Sequence, residues 1–205
     1  MPDSKVKRDP LTPEELDLLA TPDEELRNRT KTFSFDRERF KARISSGERW
    51  QQLLQAHLYF DHVITQLLVD ALANPDVINA QRMGFVQKLQ LIQALGLLNS
   101  DLVPPVEFIN GLRNKIAHDL SFEISDKDEN DLANCTPKFL RDVVVEDSER
   151  IEGAGPIRFW ELLHVLLLQI EVIRQGHAYA RLSTRKGALH LRTVLDRTEG
   201  IIYRP

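Results

Sequence analysis

Residues 108–120 read Phe-Ile-Asn-Gly-Leu-Arg-Asn-Lys-Ile-Ala-His-Asp-Leu. Arg113, Asn114 and His118 stand inside an otherwise apolar helical pattern. Asn114 and His118 are four apart, so a helix places them on one face and lets the amide orient the imidazole. Arg113 precedes His118 by five residues, roughly 140° around a regular helix at about 100° per residue. Its long side chain reaches His118 only if the helix is distorted, or it meets a site formed with a second subunit. An imidazole moves a proton near neutral pH. A guanidinium presents a fixed, always-charged fork to a phosphate oxygen. Together they suit RNA cleavage, in which the 2′-hydroxyl attacks its own phosphodiester without a metal. Spacing alone equally fits a plainer reading: Arg113 as a surface or ion-pairing residue, and His118 near a helix end where positive charge is favoured.

Other chemistry is harder to assemble. The chain has no Gly-rich phosphate loop and no His-Glu-x-x-His pair. One cysteine, Cys135, builds neither a disulfide nor a thiolate metal cluster. His57 and His62 are five apart with Asp61 between them, which reads as the polar flank of a half-buried helix. His164 lies in the most apolar stretch and reads as a hydrogen-bonded core histidine. His177 and His190 have no evident partners. No metal and no cofactor are expected.

The elements that must position the motif are helical. Trp50, Leu53, Leu54, His57, Leu58, Asp61, Ile64, Leu67, Leu68 and Ala71 recur at spacings of three and four, predicting a helix from Ser45 or Ser46 to about Ala73. A second helix is predicted over 84–98, weakened by Gly96. A third starts near Pro104 or Pro105 and continues past His118. The acidic stretch 119–152 should hold one or two short helices, capped by Asp126, Asp128 or Asn130 and opened again at Thr136-Pro137. Gly153–Pro156 reads as a linker before a long helix over 157–183. Thr12-Pro13 and Thr21-Pro22 are helix starts in a polar arm. Apart from a short run at Val143–Val145, strand alternation is absent. The expected architecture is an all-α antiparallel helical bundle: 1–45 a helical or flexible N-terminal arm without its own core, 46–183 the bundle, and 184–205 a basic tail that turns apolar at Ile201-Ile202-Tyr203.

Net charge is −4 but uneven. Residues 119–152 carry four basic and eleven acidic side chains, and 157–205 carry eight basic and four acidic. That balance disfavours wrapping duplex DNA by electrostatics. The segment 159–173 contains Glu161, His164 and Glu171 and is too short to span a bilayer. With no basic-then-apolar N-terminal stretch and one cysteine, the expectation is a cytoplasmic protein without membrane contact.

The stretch Arg113–His118, RNKIAH, resembles the Arg-x4-His signature of the HEPN superfamily in its Arg-Asn-x-x-Ala-His form. GFVQKLQLIQALGLL followed by FINGLRNKIAHDLSFEISD is similar to the branch that includes the mannitol operon repressor family. The resemblance spans about 50–180. It implies a helical bundle, usually a homodimer with the motif helices near the interface, and in many members a metal-independent ribonuclease acting as a toxin or antiviral effector. Carried over, the catalytic residues are Arg113, His118 and the assisting Asn114, with RNA as substrate and an antitoxin or regulatory protein as partner. Some members of the superfamily carry a modified Tyr two places after the His; Leu120 stands there in this chain. Other members are non-catalytic regulatory or interaction modules. In that reading Arg181, Arg185, Lys186 and Arg192 would contact nucleic acid or protein, or simply form a solvated face.

Overall fold

The structure, a computed structural model, describes residues 9–72, 74–119, 121–151 and 157–198, with backbone alone for 147–151. The described residues are all-α: nine α-helices and three short 3-10 turns, with no strand. They divide into two compact units. One runs from Phe33 to His177; the other joins the described residues up to Thr32 with those from Ala178 onward.

The larger unit is organised around one helix, α4 (Arg49–Ala71), after α1 (Pro13–Ala20), α2 (Asp23–Thr30) and α3 (Arg37–Ile44). Its buried stripe is Leu53, Ala56, Phe60, Val63, Ile64, Leu67 and Leu68. Of the face that the spacing predicted, Leu53, Ile64, Leu67 and Leu68 are buried, whereas Trp50 and Leu58 are exposed and Ala56, Phe60 and Val63 turn inward instead. Packed with it are α3, α5 (Phe85–Ala94) and α6 (Val103–His118). Phe40 and Ile44 of α3 are fully buried in this core, so the compact unit begins at Phe33 rather than at 46. α7 (Asp126–Cys135) and α8 (Lys138–Ile151) add Leu132 and Leu140. The long α9 (Phe159–Thr198) adds Leu162, Leu163, Leu166, Leu167 and Ile170. Each side chain of this size removed from water contributes roughly 1.5–3 kcal/mol.

Several boundaries differ from the sequence pattern for identifiable reasons. α5 stops at Ala94 because Gly96 adopts φ +66°, a left-handed conformation that suits glycine. Leu97 N–H then donates to Ile92 C=O at 2.8 Å and Gly96 N–H to Gln93 C=O at 2.9 Å, closing a Schellman turn. α6 ends at His118 rather than beyond it. Asp119 Oδ1 accepts from Ser121 N–H and Oγ–H at 2.9 and 2.7 Å, and these bonds hold the Asp119 carboxyl below its ordinary pKa. α7 is capped by Ser125, whose Oγ accepts from Asp128 N–H, and not by Asp126, Asp128 or Asn130. Val143–Val145 is helical: Leu140 and Val144 are buried one turn apart while Val143 and Val145 face out. The tertiary packing period overrides local β preference there.

In the smaller unit, Thr12 caps α1 through a capping box with Glu15, as the sequence suggests. Thr21 does not cap α2; its hydroxyl donates to Asp17 C=O at 2.8 Å. Leu18, Leu26 and Leu189 form a small apolar cluster, so the arm takes part in a core after all. α9 continues to Thr198 instead of ending near 183. Lys186 donates to Thr21 C=O and Asp23 at 2.8 and 2.6 Å, Arg185 lies 4.0 Å from Glu15, and Arg192 contacts the Asp9 carbonyl. Arg185, Lys186 and Arg192, which were expected to face a partner, are therefore engaged by this unit's own acceptors. The segment Gly153–Pro156 and the residues Ile201–Tyr203 lie outside the described residues. Among the described residues no helix is long and apolar enough to cross a membrane.

Candidate functional site

α6 exposes the motif because its opposite face is anchored. Val106, Ile109 and Leu112 are buried at spacings of three, and Pro104 and Pro105 begin the helix where no intrahelical donor is needed. With that stripe fixed inward, Asn110 is half-buried at the edge and Arg113, Asn114, Lys115 and His118 are exposed.

Asn110, Arg113 and Asn114 form one wall of an open cleft of about 470 Å³. His57, Leu58 and Asp61 of α4 form the second wall, and residues 84–87 at the start of α5 form the third. The volume is within the range of small-molecule clefts. Arg113 Nη1 donates to Asn114 Oδ1 at 3.2 Å. Asn114 thus holds the guanidinium in this structure, where the spacing suggested it would orient the imidazole. Neither Arg113 nor His118 forms an ion pair with a described residue. His118, on the last turn, is outside the residues that line the cleft.

The cleft gathers groups that the sequence pattern left as helix flank. His57 Nε2 donates to Asn110 Oδ1 at 3.2 Å, and its ring lies 4.7 Å from that of Phe85. Burial depresses the His57 pKa below its ordinary 6.5, with the Arg113 and Lys88 charges adding to that effect and Asn110 and Asp61 opposing it. Lys88 is only 1% exposed, and its ammonium reaches Asp61 at 2.7 Å. That pair keeps Asp61 on the cleft wall while cancelling its charge toward solvent. The spacing His57/Asp61 on α4 and Asn110/Asn114 on α6, both i and i+4, is the signal that could have linked these residues; their meeting needs the helix pairing.

The remaining candidates have structural partners. His164 packs on Phe40 and Trp160, and His177 and His62 donate to the carbonyls of Leu97 and Ser34 at 3.0 Å each. Cys135 donates to Leu132 C=O, and burial pushes its thiol pKa up. Among the described residues no three His, Cys, Asp or Glu side chains are grouped to hold a metal ion. Beside the motif, acidic α7 is partly neutralised within the fold: Asp126 and Glu129 pair with Arg49 and Asp131 with Lys127. Lys115 sits 3.9 Å from Asp128 and 5.3 Å above the Phe122 ring.

The chain matches no family model, no curated protein and no solved structure.

Proposed function

We propose that this protein is a HEPN-type endoribonuclease that cleaves RNA without a metal, using Arg113, His118 and Asn114. The observation that carries the reading is an arginine left available: Arg113 lines an open cleft and is tied to no carboxylate among the described residues. An uncompensated guanidinium at a cleft wall is a site for a phosphate oxygen. In the reaction, the RNA 2′-hydroxyl loses its proton and bonds to phosphorus, and the 5′-oxygen leaves and gains a proton. The products are a 2′,3′-cyclic phosphate and a 5′-hydroxyl end. Arg113 stabilises the charge that grows on the non-bridging oxygens. Asn114 holds Arg113 in place, and His118 transfers a proton as base or acid. The same reading takes the protein as a cytoplasmic homodimer, toxin- or defence-like, with an antitoxin or regulatory protein as partner. Leu58, 64% exposed at the cleft wall, supplies apolar surface beside the motif helix for a second copy.

The alternative is a non-catalytic module of the mannitol operon repressor kind. It is favoured by one observation: His118 lies off the cleft and has no oriented partner among the described residues. Cleavage of a mixed RNA pool in EDTA separates the two. Activity that survives EDTA and disappears in Arg113→Ala and His118→Ala supports the ribonuclease. A folded dimer that leaves RNA intact moves the assignment to the module.

A further inference from the structure

We infer that His57 is a second catalytic imidazole of this site, taking the proton from the RNA 2′-hydroxyl on the cleft side of Arg113. The inference rests on the ribonuclease reading and assigns its acid and base. Asn110 Oδ1 can only accept, so the 3.2 Å contact places the imidazole proton on Nε2 and leaves the Nδ1 lone pair as a base. His57 makes no other hydrogen bond to a described residue. It shares the cleft with Arg113, whereas His118 does not line it.

The positions along α6 support a division of labour. Asn110, which holds His57, precedes Arg113 by three residues, and His118 follows it by five. At about 1.5 Å per residue these two marks are roughly 12 Å apart along the helix, with Arg113 between them. In-line displacement at phosphorus places the attacking and leaving oxygens on opposite sides. A phosphate held by Arg113 then has the His57 imidazole beside it in the cleft, and on this proposal His118, roughly 140° around α6 and outside the cleft lining, must reach it from the far side. His57 Nδ1 accepts the 2′-OH proton as the 2′-oxygen bonds to phosphorus. The phosphorus–5′-oxygen bond breaks, and His118 in its imidazolium form gives its proton to that oxygen. Exchange with water restores both rings.

The charged groups facing His57 are Asp61 on its own helix, Lys88 on α5 and Arg113 on α6. Asp61 and Lys88 neutralise one another at 2.7 Å. Burial lowers the His57 pKa, with the cationic Arg113 adding to it, and that direction favours the neutral form a base requires.

The test uses full-length wild type, His57→Gln, His57→Ala, His118→Ala and Arg113→Ala on a defined single-stranded RNA, across pH 5–9. Gln at 57 can still donate to Asn110 but cannot accept a proton, so it separates chemistry from folding. The expected result is a kcat lowered by about 100-fold or more in His57→Gln with little change in KM, the size typical of a lost general base. The rising acid limb of the pH profile should vanish, and free imidazole should restore part of the rate in His57→Ala. His57→Gln cleaving at the wild-type rate with an unchanged pH profile, while Arg113→Ala is inactive, overturns the role of His57 and leaves the ribonuclease reading standing. No cleavage by the folded wild type overturns both.

Discussion

Two arginines of the larger unit sit in opposite circumstances. Arg174 on α9 is largely buried, and its guanidinium reaches Glu171 at 2.8 and 3.0 Å and Asp70 at 2.8 Å. Glu171 is 0% exposed and also accepts from Ser34 N–H and Oγ–H at 2.7 and 2.9 Å. These contacts raise the Arg174 pKa above its ordinary value. Arg113 on α6 is exposed, opens onto a cleft, and has one neutral amide as its partner. The first cation is used by the fold, because a buried charge is tolerated only when paired and hydrogen-bonded. The second is left over by the fold, which is what a residue kept for a ligand phosphate requires. Residue type does not separate them; the carboxylates around them do.

The largest effect should come from breaking the satisfied network. Arg174→Ala leaves Glu171 buried without its main partner, and unfolding in denaturant should show a loss of roughly 3–5 kcal/mol. Wild-type stability in that variant would mean that water or rearrangement replaces the pair. Arg113→Ala should do the reverse. Its stability should stay within about 0.5 kcal/mol of wild type, as for exposed residues outside special contacts. On the ribonuclease proposal, RNA cleavage by this variant should fall by roughly 100- to 1000-fold, as for loss of one donor to a developing oxyanion. A large stability loss in Arg113→Ala would place it with Arg174 as a structural residue.

A smaller effect should be visible as pH dependence. The His57 pKa is lowered in the folded state, so the unfolded chain binds a proton first as pH falls. Its contribution is present above about pH 6.5 and is lost as pH drops from there through the lower folded-state value. The stability difference between wild type and His57→Gln should therefore shrink on acidification below 6.5. A difference that stays constant from pH 8 to pH 5 would show that burial does not hold this ring neutral. The smallest effect is expected at Lys115. Its contact with Asp128 is long at 3.9 Å and solvated, so Lys115→Ala should change stability by no more than about 1 kcal/mol in thermal or denaturant unfolding.

How much of this was legible follows the range of the interactions. The stripe on α6 was readable, since Val106, Ile109 and Leu112 repeat at the helical period. That on α4 was readable only in part: Leu53, Ile64, Leu67 and Leu68 turn inward as the spacing suggests, while apolar residues run nearly all round the helix and Phe60 and Val63 are buried in place of Trp50 and Leu58. The Thr12 cap was readable because its partner Glu15 is three residues away. The membership of Phe40 and Ile44 in the core was not, because polar, charged neighbours on α3 hide a buried face of only two side chains. The full length of α9 was not, because 184–198 has a weak apolar pattern and gains its carboxylate partners from α1 and α2. Arg113, Asn114 and His118 could be singled out as a motif, yet nothing local indicated that Asn114 would bind Arg113.

The sequence by itself therefore determined the helical class, the inward faces of α6 and of the first half of α9 with part of that of α4, and the polar motif at the end of α6. These depend on periodicity and on contacts three or four residues apart. Tertiary structure alone decided that His57 and Asn110 meet across 53 positions and that Lys88 closes on Asp61 across 27. It also decided that Arg174 is enclosed by carboxylates while Arg113 is not. The reason is that hydrogen-bond and charge partners at such separations are set by which helix faces pack together, and that depends on the whole core rather than on any one segment.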